Sequence, residues 1–115
     1  MLNVPTDGAI FLAIDPVDMR GSFDRLTRII QSELKKNILS DGLFVFRNKA
    51  GDKLKMIWWN RNGLVITYKR LEKGSFKWPK ANSKKMIITR QELELLLDGI
   101  NIEKLKRLPE LYFDT

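Results

Sequence analysis

LFVFRNKAGDKLKMIWWNRNGLVITYKRLEKGSFKWP, residues Leu43–Pro79, alternates strand-forming runs with turn signals. Leu43–Arg47, Lys53–Trp59 and Leu64–Leu71 are β-branched, aromatic and aliphatic runs of strand length. Asn48-Lys49-Ala50-Gly51-Asp52 separates the first two, and Asn60-Arg61-Asn62-Gly63 the next two. Asn-Gly favours a tight hairpin because both residues tolerate positive φ. Glu72-Lys73-Gly74 supplies a third turn, Phe76-Lys77-Trp78 a short last strand, and Pro79 a stop, since proline lacks an N–H for the ladder. The stretch reads as a four-stranded antiparallel meander. Alternation sends Leu54, Met56 and Trp58 to one face, and Lys53, Lys55, Ile57 and Trp59 to the other.

Outward from this stretch, Gly8–Ile14 is a short apolar run that reads as an additional buried strand, ended by Asp15-Pro16. Met19, Phe23, Leu26, Ile30 and Leu34 then recur at helical spacing, which predicts a helix over Val17–Lys36. Gly21 is a weak helix residue, so a start near Ser22 is the alternative. The apolar stripe is expected to cover the Leu54/Met56/Trp58 face. On the C-terminal side, Lys80–Lys85 is a basic connection and Met86-Ile87-Ile88 is extended. Thr89-Arg90-Gln91-Glu92 is a capping box that opens a helix ending at Gly99. Ile102–Leu108 predicts one more helical turn, and Glu110–Thr115 a frayed end. The expected fold is α+β, an antiparallel β-meander sheet of about four to six strands. One long N-terminal helix packs on it, and a C-terminal helix follows. The 115 residues read as a single domain, with 101–115 as its tail.

Cysteine and histidine are both absent, which removes thiol nucleophiles, disulfides and thiolate or imidazole zinc sites. The start shows no basic and apolar leader pattern, and no apolar run approaches the roughly 18 residues of a membrane span. A cytoplasmic protein without membrane contact is the expectation. The net charge of +7 is unevenly spread. Residues 42–90 hold thirteen Lys/Arg against two Asp/Glu, a net +11, whereas 1–41 carry −1 and 91–115 carry −3. A region so basic attracts polyanions, although a solvated lysine-rich surface gives the same count.

The carboxylates Asp15, Asp18 and Asp24 are the nearest approach to a metal cluster, and capping explains them more simply. The glycines at 42, 51, 63 and 74 fit turns, and no GxxxxGK[ST] phosphate loop is present. No catalytic residue, metal, cofactor or small-molecule substrate is therefore expected, and the chain does not read as an enzyme. The informative pattern is aromatic and basic residues interleaved along the strands, as surfaces that stack bases beside phosphate-binding cations require. Core packing of the aromatics, or a protein contact through the same face, are the competing explanations. The candidate nucleic-acid contacts are Arg20, Arg47, Lys53, Lys55, Trp59, Arg61, Lys69, Arg70, Lys73, Lys77, Lys84 and Lys85. Arg20 alternatively pairs with Asp15 or Asp24.

Several spaced words carry a resemblance. They are Leu43-Phe44-Val45-Phe46-Arg47-Asn48, Gly51-Asp52, Lys55, Trp58, Tyr68-Lys69-Arg70-Leu71-Glu72-Lys73-Gly74, and Phe76 with Trp78 and Pro79. Asp18-Met19-Arg20, Phe23-Asp24 and Leu26 precede them, and Leu95-Leu96-Leu97 with Gly99-Ile100 follow. Together, over residues 8–100, they resemble the small accessory protein of insertion-sequence-66-type transposons, the TnpB-type product of the second open reading frame. Nothing resembles the larger RNA-guided nucleases that share that label. The resemblance implies a bacterial accessory factor for DNA transposition. Catalysis is attributed to a separate, larger transposase of the same element. DNA and that transposase are the implied partners, and the resemblance leaves open whether the role is DNA binding or adaptor assembly.

Overall fold

The computed structural model describes Pro5 and residues 8–105. Strand β1 (Ala9–Ala13) leads to helix α1 (Phe23–Ser32), then strands β2 (Gly42–Arg47), β3 (Lys53–Asn60), β4 (Gly63–Arg70) and β5 (Lys85–Ile88), and helices α2 (Arg90–Leu97) and α3 (Ile102–Leu105). The strands form one five-stranded sheet in the order β4-β3-β2-β1-β5. β1 and β2 are parallel, and the other neighbours are antiparallel.

This corrects the expected all-antiparallel meander: the sheet is mixed. β1 lies inside the sheet, between β2 and β5, and Ile10–Ala13 are buried. Such a two-sided apolar strand suits a parallel pair, whose crossover carries a helix onto one face. Gly42 permits the pairing, because it sits at φ +136° and a Cβ there would lie 2.1 Å from the Ala9 carbonyl oxygen. Gly42 is thus a close-approach glycine rather than a turn residue. Phe76-Lys77-Trp78 is not a strand either. Phe76 is buried, with its N–H on the Gly51 carbonyl at 2.7 Å, and the Trp78 indole donates to the Ala13 carbonyl at 2.8 Å. The two aromatics act as pegs from a looping segment, and Met86 and its neighbours supply the fifth strand instead.

The expected long helix over 17–36 is also corrected, to ten residues. Residues 17–22 are not helical: Val17 donates to the Arg47 carbonyl at 2.9 Å, and a local turn follows in which Gly21 donates to the Asp18 carbonyl. The expected last turn is broken at Lys35, which takes φ +57°, while the Lys36 N–H returns to the Ile30 carbonyl. Left-handed backbone costs a non-glycine residue about 1–2 kcal/mol. Here it re-aims the chain so that Ile38 joins the core.

Both sheet faces are covered. α1 buries Leu26 and Ile30 against Phe11, Phe44, Phe46 and Ile57. The rings of Phe11 and Phe44, on neighbouring strands, stack at 5.1 Å. α1 therefore packs on the face opposite to the one its stripe was expected to cover. The Leu54/Met56/Trp58 face is covered by Leu93, Leu96 and Leu97 of α2, by Ile102 and by Phe76. α2 opens on the predicted capping box, with Thr89 Oγ accepting from the Glu92 N–H and Glu92 Oε1 accepting from the Thr89 N–H.

Candidate nucleic-acid interface

The β2–β3 turn is organised by one side chain. Asn48 Oδ1 accepts from the N–H groups of Gly51 and Lys53, both at 3.0 Å, and its amide donates to Asp52 at 2.7 Å. That last hydrogen bond holds the Asp52 carboxyl below its ordinary pKa. Three residues of the family-like words, Asn48, Gly51 and Asp52, are thereby accounted for as turn structure. The turn presents Lys49 at its exposed tip.

Beside it runs the 17–22 loop, held from beneath by Lys55. This lysine is only 7% exposed, and its ammonium donates to the carbonyls of Met19 and Gly21, both at 2.7 Å. It also lies 5.0 Å from the centroid of Tyr68, its cross-strand partner. On this loop Arg20 pairs with neither Asp15 nor Asp24. Its guanidinium grips Asp18, with contacts of 3.1 and 2.7 Å, and its backbone N–H bonds the same carboxylate at 2.9 Å. The hydrogen bond from the Arg20 side chain keeps the Asp18 carboxyl far below the usual carboxylate range. The Arg20 side chain itself is 91% exposed, so its outer edge is open to solvent.

Arg20, Lys49, Lys53 and Tyr68 line one open groove of about 450 Å³, together with Val17, Met19, Asn48, Ala50 and the Asp18 that Arg20 neutralises. Arg70 lies across the β3–β4 ladder from Lys53 and pairs with Glu72 at 2.9 Å. Like charges directly opposite each other on a sheet face repel. The Asp52 carboxylate, which acts on both cations, and the Glu72 paired with Arg70 relieve that repulsion. Trp59 is on this same face of β3, 38% exposed, as alternation predicts, and Trp58 is buried on the other. Arg61 stands at the hairpin tip beyond Trp59. It, rather than Asn62 or Gly63, takes the positive φ, at +59°, while Gly63 pairs with Asn60 as the first residue of β4.

The remaining candidates are elsewhere. Arg47 points to the α2 side, where it donates to the Ile14 carbonyl at 2.9 Å and lies over the Trp78 ring. Lys69 donates to the Leu97 carbonyl at 2.9 Å, at the C-terminal end of α2, where the helix dipole favours a cation. Lys73 and Lys77 lie on the connection between β4 and β5. Lys84 pairs with Asp15, and Lys85 begins β5 on the far side of the sheet from β4. Four strand spacings separate those edges, about 19 Å. Of the basic and aromatic residues of the groove, Lys49 and Tyr68 are absent from the sequence-based candidates. Tyr68 stood in the interleaved aromatic pattern, whereas only the fold reveals that the 48–52 turn and the 17–22 loop are neighbours. Among the described residues no group of three carboxylates converges to hold a metal.

A second groove, of about 750 Å³, opens on the other face between β4 and α2. Met56, Thr67, Leu95 and Leu97 line it, with Glu94 and Asp98 alongside Lys69.

The chain belongs to the family described as IS66 Orf2 like protein, which matches residues 8–107. That family is associated with transposition by insertion elements of the IS66 type, and this chain is one of its accessory proteins. Two similar proteins come from Sinorhizobium fredii, and both are described as uncharacterized. The one called y4hO is 39% identical over 92 residues, covering 80% of each chain. The one called y4jC is 32% identical over 100 residues, covering 87% of this chain and 86% of its own. No solved structure matches the chain. Among the described residues no helix is long and apolar enough to cross a membrane.

Proposed function

We propose that this protein is a non-catalytic accessory factor that works in the cytoplasm and binds DNA during transposition of its element, through the α1 face of β3 and β4. The observation that carries this reading is the basic groove. Arg20 from the 17–22 loop and Lys49 and Lys53 from the β2–β3 turn and the start of β3 converge beside the exposed Tyr68 ring of β4. None of the ion pairs among the described residues uses Lys49 or Lys53. Each cation that neutralises a phosphate releases counterions, so log affinity should fall linearly with log salt, with a slope near −0.9 per contact on duplex and −0.7 on a single strand.

Fluorescence anisotropy with labelled duplex and single-stranded DNA at low salt tests this. Binding with a slope of about −2 to −3 is expected from the three groove cations, Arg20, Lys49 and Lys53. The alternative is an adaptor that assembles the transposase without reading DNA. The α2-side groove favours that reading, since its mixed apolar and acidic lining suits a protein segment better than a phosphate backbone. If neither DNA form binds while the element's purified transposase does, the adaptor reading replaces the DNA reading.

A further inference from the structure

We infer that the β3–β4 surface takes single-stranded DNA, with bases on Tyr68 and Trp59 and phosphates on the basic groups at either end; this rests on the DNA-binding reading above. Register sets the track. On the α1 face, Trp59 stands opposite Leu64, Ile57 opposite Ile66, Lys55 opposite Tyr68, and Lys53 opposite Arg70. Trp59 and Tyr68 are therefore offset by four residues along neighbouring strands, about 14 Å at ~3.4 Å per residue. Leu64, level with Trp59, and Ile66, midway between the two rings, are half-buried and form an apolar floor. Tyr68 is 52% exposed, with the Lys55 ammonium near its ring to fix its position.

Cations bound both ends of this floor, with Arg61 beyond Trp59 and Lys53, Lys49 and Arg20 beyond Tyr68. β4 is also an edge strand, so one row of its backbone N–H and C=O groups has no neighbouring strand. Those groups can meet base edges or sugars.

Duplex fits this surface less well. A major groove about 12 Å wide admits a helix or a two-stranded ribbon. Here β3 is paired to β2 on one side and backed by α2, so the hairpin cannot enter a groove as a free ribbon. A duplex also hides its base faces, leaving Tyr68 and Trp59 without a partner. Only phosphates on its outside would be reached.

The test compares single-stranded and duplex DNA of one sequence at one salt concentration. The wild type is expected to prefer the single strand at least tenfold. Stacking is worth about 1–3 kcal/mol per base, so Tyr68→Ala and Trp59→Ala should each weaken single-strand binding roughly 5- to 150-fold. Duplex binding and the salt slope should be unchanged in both variants. Tyr68→Phe should retain the affinity of the wild type, and matching thermal melts should show all variants folded. Should an alanine variant fail to fold, Trp59→Phe supplies the second reading: a single strand should quench tryptophan emission in the wild type and much less in the variant, at similar affinity. Equal or tighter duplex binding, or alanine variants with undiminished single-strand affinity, would overturn the single-strand assignment and leave DNA binding standing. Absence of binding to either form would overturn both.

Discussion

Lys53 and Lys55 are two residues apart on one strand and point to the same face, yet they do different work. Lys55 is buried and spends its ammonium on two loop carbonyls, so its loss strands those acceptors and frees the 17–22 loop. Hydrogen bonds from charged groups contribute about 1.5–3 kcal/mol, so Lys55→Met should lower stability by roughly 2–3 kcal/mol in urea melts. Lys53→Met should change stability by less than about 0.5 kcal/mol, because it removes no ion pair or core contact. On DNA the order of interpretation reverses. Lys53→Met should cut the salt slope by about one, as loss of a single phosphate contact does. A Lys55→Met protein as stable as the wild type would show that the loop does not depend on it. Both lysines are candidate DNA contacts from sequence because period-2 alternation assigns a face but not what covers it. The cover here is loop backbone, folded over from thirty-odd residues earlier in the chain.

At the scale of elements, β3 carries the most direct check of register. Trp58, 7% exposed, packs among Leu54, Met56 and the α2 leucines, whereas Trp59 opens on the other face. Trp58→Ala should cost about 3–5 kcal/mol, the range for a buried aromatic. Trp59→Ala should cost no more than about 1 kcal/mol, since surface changes are usually small. Chemical denaturation of the two variants measures both, and a larger loss at Trp59 would mean that the strand is turned over. This alternation was legible in the sequence, as were β2, β3, β4 and the Thr89–Glu92 box, because each rests on local chemistry. The parallel β1–β2 pair was not read, although its parts were visible: a two-sided apolar run at Gly8–Ile14, a helical stripe, and Gly42 before the next strand. Adjacency of sequential strands favours the meander, and only the non-local pairing of Ala9 with Gly42 decides otherwise. Phe76 and Trp78 depart from the strand pattern for a related reason. An alternating aromatic pair is the signal of a strand, but here both rings are pegs whose partners lie far along the chain.

Across the whole molecule, the helices divide the sheet into two kinds of surface. α2 and its neighbours seal the Trp58 side and leave the groove bearing Glu94 and Asp98 at the β4 edge. α1 packs over β1 and β2 and leaves the outer part of β3 and β4 open, with the basic groove at one end. The +11 of residues 42–90 is thus not one patch. Arg47, Lys55 and Lys69 are engaged with backbone carbonyls, and Lys84 and Lys85 sit at the opposite edge. If the groove binds DNA, position matters more than net charge. The most direct measurement compares two charge-matched double variants, Lys49→Gln/Lys53→Gln and Lys84→Gln/Lys85→Gln, by salt-dependent anisotropy on the same single-stranded DNA. The groove variant should bind about tenfold more weakly at low salt and lose close to two phosphate contacts from its salt slope, while the edge variant stays within about threefold of the wild type. Equal losses in the two variants, or a loss confined to the edge variant, would contradict the groove as the DNA-binding surface.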